Sequence, residues 1–190
     1  AEVRIVATRL GAVPDNGSGR HAIHAFRPRA HDVKDGGDKA REEANIADAE
    51  AAKQALIDLY AEWPFDMVYE RYSLWSAAGA DAACMLGVPL ITEVNAPLLL
   101  EQEQYRRLAL HAQAQNIERK VFSRSDGLVC VSSAARDYAV SKGARPERVH
   151  VVGNAVDPAR FHPAVQPRDF GHSPGAFTIG FSGSLKRWHG

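Results

Sequence analysis

Residues 66–94 read DMVYERYSLWSAAGADAACMLGVPLITEV. Two short apolar runs, Met67–Glu70 and Leu90–Val94, flank an alanine-rich segment, Ser76–Leu86. Neither run alternates cleanly, the pattern of strands covered on both faces. Gly87 supplies a helix stop, and Pro89 beyond it cannot continue the helix. The stretch therefore reads as strand, helix, strand, within the roughly 30 residues of a βαβ unit. Strands joined in this way pair in parallel.

Working outward, the same alternation continues. Upstream, Glu2–Thr8 and His21–Phe26 read as strands, and the turn-rich GAVPDNGSG of residues 11–19 reads as a plain loop. It is not a Gly-x-Gly-x-x-Gly phosphate loop. Lys39–Trp63 reads as a helix stopped by Pro64. Ala49, Ala52, Leu56, Leu59 and Trp63 form its apolar stripe, while Glu42, Glu43, Asp48 and Lys53 are expected in water. Downstream, Leu98–Ser123 reads as one long helix with Leu110, Ala114, Ile117 and Val121 as its buried stripe. Asp126-Gly127 turns into the strand LVCVS. Ser132 or Ser133 caps a helix ending at Gly143, and Val149–Val152 is a further strand. Phe177–Phe181 reads as a strand ahead of a glycine loop holding Lys186 and Arg187. The expectation is α/β: a parallel, doubly wound sheet.

Composition narrows the function classes. The chain has 23 Lys+Arg against 23 Asp+Glu, so nothing speaks for nucleic acid or a polybasic membrane role. No apolar run is long enough to span a bilayer. Cys84 and Cys130 both sit in apolar surroundings and are expected to be buried thiols of a cytoplasmic protein. His21 and His24 lack further ligands at metal spacing, so no metal is expected.

In an open parallel sheet, ligands bind beyond the carboxyl ends of the strands. The candidates there are Glu70, Arg71 and Tyr72; Glu93 and Asn95; Ser132 and Ser133; and Asn154, all on one rim. Each has a plainer reading. Glu70 and Arg71 can be an exposed pair at a strand end. Asn95-Ala96-Pro97 can be only a turn. Ser132 and Ser133 suit helix caps better than nucleophiles, for no Gly-x-Ser-x-Gly elbow surrounds them.

Several segments carry a resemblance in chain order: YERYSLWSAAG at 69–79, GVPLITEVNAPLLLEQ at 87–102, SDGLVCVSSAARDY at 125–138, and NAVDPARFHP at 154–163. The last is similar to the Asn-Gly-Val-Asp-x-x-x-Phe-x-Pro segment joining the two domains of group 1 (family 4) retaining glycosyltransferases. Ala155 stands where glycine is usual. GFSGSLKRWHG at 180–190 resembles the opening strand and phosphate-side loop of their donor domain. The resemblance implies one Rossmann-like half of a GT-B fold over residues 1–160, then a linker and the first strand of a second domain over 161–190. It also implies that a first β–α unit of about 30 residues lies upstream.

The implied chemistry is transfer of a sugar from a nucleotide-diphosphate sugar to a glycan or lipid-linked acceptor, with retention and without a cofactor. Positive charge builds at the sugar and negative charge on the departing diphosphate, so cations belong at the phosphates and oxygens near the sugar. Gly183, Ser184, Lys186, Arg187 and His189 are the donor-phosphate candidates. Glu70, Arg71, Tyr72, Glu93, Asn95, Ser132 and Asn154 are the acceptor-side ones. Besides Ala155, two further sites depart from the family. Glu70 lies where many relatives carry a histidine, and Gly183-Ser184-Leu185 replaces the usual Gly-Arg-Leu. The fragment alone is expected to be inactive. The alternatives are a GT-B nucleotide-sugar epimerase and a non-catalytic sugar- or nucleotide-binding module. A peripheral contact of Leu98-Leu99-Leu100 with the inner membrane face is the alternative to interdomain packing.

Overall fold

The computed structural model describes residues 2–7, 22–25 and 37–166, and singly 171, 175, 177, 179, 180 and 183. The loop at 11–19 lies outside them. The chain divides into two compact units, Ala1–Gly153 and Asn154–Gly190.

In the first unit the elements run β1 (Arg4–Ala7), β2 (Ala22–Ala25), α1 (Gly37–Glu62), β3 (Val68–Arg71), α2 (Ala78–Leu86) and β4 (Leu90–Val94). They continue with α3 (Leu98–Tyr105), α4 (His111–Arg124), β5 (Gly127–Cys130), α5 (Ser133–Ser141) and β6 (Val149–Val151). β3-β4-β5-β6 form one sheet and β1-β2 a second, and every pair is parallel. This is the expected α/β, Rossmann-like architecture: a parallel four-stranded sheet flanked by helices.

The turns follow the local chemistry. Gly87 ends α2 at φ +70, where a side chain would be strained, and its N–H donates to the Ala83 carbonyl. Ser132 caps α5, its hydroxyl accepting from Ala135 N. Gly127 sits in register with Ile91, and a Cβ there would stand 2.9 Å from Ile91 Cδ1.

The two faces of the larger sheet differ. Val68, Leu90, Val94, Leu128, Cys130 and Val149 point to one side, where Ala80, Ala83, Val121, Phe122, Ala135 and Ala139 of α2, α4 and α5 close over them. The alternate residues point the other way. Tyr69 is 56% exposed, Arg71 and His150 are exposed, and Ile91, Glu93 and Val129 are half-buried. Strands expected to be covered on both faces are therefore covered mainly on one, among the described residues, and even there Val151 at the end of β6 is 44% exposed.

Four local expectations are corrected. The long helix at 98–123 is two helices: Arg106 leaves helical geometry at φ −140, ψ 171, and α4 starts afresh at His111. Leu108 then joins a small second cluster with Leu74, Leu99 and Ala114. Glu42 and Asp48 are buried rather than in water. The Glu42 carboxylate accepts from Ala109 N at 3.1 Å and Leu110 N at 2.7 Å, satisfying backbone donors that the helix break leaves without partners. Cys84 is exposed, on the outer side of α2, and only Cys130 is buried. In the second unit, Phe177, Ile179 and Gly180 belong to no strand. Phe177 and Ile179 are exposed, and among the described residues no strand pairs with them. Thr178 and Phe181 lie outside the described residues.

Candidate functional site

The carboxyl ends of β3 and β4 carry most of the acceptor-side candidates, and side-chain alternation sorts them onto opposite faces. Arg71 and Glu93 are register partners on the open face. Glu93 accepts from Tyr69 OH at 2.7 Å and from Asn95 Nδ2 at 2.6 Å. The Tyr69 hydroxyl, then the Asn95 amide, with a smaller contribution from the Arg71 charge, hold the Glu93 carboxyl below its ordinary range. It is thus an ionised, half-exposed acceptor with fixed orientation. Tyr69 was not singled out from the sequence. Its signal was its parity: it lies two residues before Arg71 and so shares that face.

Glu70 points to the covered face. Its Oε1 accepts from Ser76 Oγ at 3.3 Å, while Oε2 is buried without a hydrogen-bond partner among the described residues. Gly79 in the first turn of α2 is what admits it, since a Cβ there would fall 2.3 Å from Oε2. Burial pushes the Glu70 carboxyl up to about 7, although Ser76 and the Gly79 N–H favour the charged form. Tyr72 is buried, donating to Glu118 Oε1 at 3.0 Å. Its N–H donates to the Glu93 carbonyl at 2.8 Å, extending the ladder past Arg71.

Ser132 is exposed and engaged as the α5 cap. Asn154 is exposed in the second unit. Gly183 has φ +154. Ser184, Lys186, Arg187 and His189 lie outside the described residues. The structure thus gathers Arg71, Glu93 and Asn95 with Tyr69, and sets Glu70 and Tyr72 on the other side of the sheet. Among the described residues no group of three or more His, Cys, Asp or Glu could hold a metal ion. No described helix is long and apolar enough to cross a membrane.

Fixed oxygens, an amide, a phenol and a guanidinium on one exposed patch suit hydroxyl-rich ligands, which need donors and acceptors together. No curated protein sequence matches the chain. Among solved structures, the Rickettsia bellii UDP-N-acetylglucosamine 2-epimerase is similar at 15% identity and TM-score 0.45, over 71% of this chain and 31% of its own. Anabaena Alr3699/HepE in complex with UDP is similar at 15% identity and TM-score 0.48, over 75% of this chain and 34% of its own. The chain therefore spans about a third of the length of these structures. The model of the Glycosyltransferase Family 4 domain matches residues 2–160, and the chain belongs to that family.

Proposed function

We propose that the chain is the acceptor-side half of an enzyme that moves a sugar from a nucleotide-diphosphate sugar to a glycan or lipid-linked acceptor, with retention of configuration. The observation that carries this reading is the family match over residues 2–160. The exposed patch of Tyr69, Arg71, Glu93 and Asn95 at the strand ends supports its acceptor side. In this reading residues 1–160 hold the acceptor, and residues 161–190 lead into a donor domain. Lys186 and Arg187 there would face the diphosphate, as charge on the leaving group requires.

Glu93 is the group best suited to orient an acceptor hydroxyl. It is ionised, so it accepts a hydroxyl hydrogen, and Tyr69 and Asn95 prevent it from swinging. Arg71 beside it offers donors to the acceptor's oxygens. The chemistry needs no metal in this scheme, because the diphosphate charge is met by side-chain cations.

Product analysis tests the reading. A protein containing this chain is incubated with a panel of nucleotide-sugars, with and without acceptor glycans. Transfer with the anomeric configuration of the donor is expected, and none from the 190-residue chain alone. An isomerised nucleotide-sugar formed without acceptor would replace this reading with an epimerase. Transfer by the isolated chain would contradict the assignment of donor binding to a further domain.

A further inference from the structure

Away from the strand ends, α4 and α5 leave a cavity of about 320 Å³ between them, lined by Gln115, Glu118, Arg119, Ser141, Lys142 and Gly143. That volume is at the lower end of the roughly 300–1,000 Å³ of small-molecule sites. Its composition is unusual for a groove between two helices. Glu118 is only 1% exposed, and its Oε1 accepts from both Tyr72 OH at 3.0 Å and Tyr138 OH at 2.6 Å. Among the described residues no donor meets its other oxygen, which keeps acceptor capacity to fill.

Two cations share the cavity. The Lys142 ammonium stands 5.4 Å from the centre of the Tyr138 ring, and its charge acts on Glu118. The Arg119 side chain packs against Gly143, with its Cγ 3.6 Å from where a Cβ would lie. Among the described residues neither cation makes a salt bridge. The plainer role for Lys142 is to complement the carboxyl end of α5. The carbonyls there are already met by Lys142 N, Gly143 N and Ala144 N, and that role leaves Arg119 and the second Glu118 oxygen unexplained.

We propose that this cavity is a binding site for a small hydroxylated anion of the polyol-phosphate class, its phosphate meeting Arg119 and Lys142 and a hydroxyl donating to Glu118. A cationic ligand would be repelled by the two side-chain cations. A bare anion would leave the Glu118 oxygen unmet. A ligand with both an anionic group and a hydroxyl answers Arg119, Lys142 and Glu118 together. The site is separate from the strand-end patch and does not depend on the function proposed above.

The test is calorimetric titration of the full chain at low ionic strength with glycerol 3-phosphate, inorganic phosphate and glycerol. Saturable binding of glycerol 3-phosphate is expected, up to about tenfold tighter than inorganic phosphate, as one added hydrogen bond gives. Glycerol alone gives no heat. Arg119→Gln and Lys142→Gln, both at the surface, each weaken binding about tenfold. Glu118→Gln removes the preference for glycerol 3-phosphate over phosphate. The proposal is overturned if glycerol 3-phosphate does not saturate, if phosphate binds equally well, or if both cation substitutions leave binding unchanged.

Discussion

On the open face of the sheet, Glu93 accepts hydrogen bonds from Tyr69 and Asn95; on the helix-packed side, Glu118 accepts from Tyr72 and Tyr138. The two carboxyls have nearly the same partners. Glu93 is held below its ordinary range by those partners, whereas burial carries Glu118 above it in spite of them. Tyr72 and Tyr138 are pushed up with it, first by burial. The lesson is that hydrogen bonds set the direction of a carboxyl's shift only where water still solvates the rest of the group; where it is buried, desolvation outweighs them. The open face keeps its charges and is equipped to meet a ligand. On the packed side Tyr72 and Tyr138 tie one Glu118 oxygen to the elements around it.

The two faces should separate most sharply in stability. Phe122 is fully buried, with its ring 4.9 Å from that of Tyr72. Phe122→Ala is expected to cost about 3–5 kcal/mol in urea denaturation. Val129→Ala on the open face should cost about 1 kcal/mol or less, the lower range for a half-buried methyl loss. Equal costs would mean that the open face is as tightly packed as the other.

Glu70 provides the pH test of the same contrast. Its folded value of about 7 lies above the ordinary 4.5, so the folded state holds its proton more tightly than the unfolded chain does. Its contribution to stability is fully present below pH 4.5 and is lost as pH rises to about 7, a change of about 3 kcal/mol. Glu70→Gln should flatten stability against pH across that window, and an unchanged slope would place the carboxyl in water. Gly79→Ala, which thrusts a methyl against the same carboxyl, is expected to cost about 1–3 kcal/mol. Glu70→Ala should relieve most of that cost when the two are combined in a double-mutant cycle.

Smaller effects belong to the caps and the open face. Ser132→Ala removes the acceptor for Ala135 N and should lower stability by about 1 kcal/mol, read from the urea midpoint. Glu93→Gln should stay within about 0.5 kcal/mol of the parent, as expected for a half-exposed group without a packing role.

Most strands of the first unit were legible because each βα step carries its own punctuation, such as Gly87 and Pro89 after α2. LITEV is a strand over the residues read for it, Leu90–Val94. The break between α3 and α4 was not legible. Residues 98–123 contain neither glycine nor proline, and the carboxylate that stabilises the break is Glu42, 67 residues before Ala109. The same long-range contact explains why Glu42 is buried. At the strand ends the sequence placed its candidates along one edge of the sheet, but adjacent residues such as Glu70 and Arg71 point to opposite faces. Which face is open depends on how α2, α4 and α5 pack, and no local pattern in β3 states that.

The most direct test of the acceptor-side assignment is an NMR titration of the chain with acceptor glycans drawn from a glycan-array hit, followed by amide chemical shifts. The account expects the largest shifts at Tyr69, Arg71, Glu93 and Asn95, and a binding constant weakened about tenfold by Glu93→Gln with folding unchanged. Shifts confined to the helices of the packed face, or glycan binding that Glu93→Gln leaves intact, would contradict it.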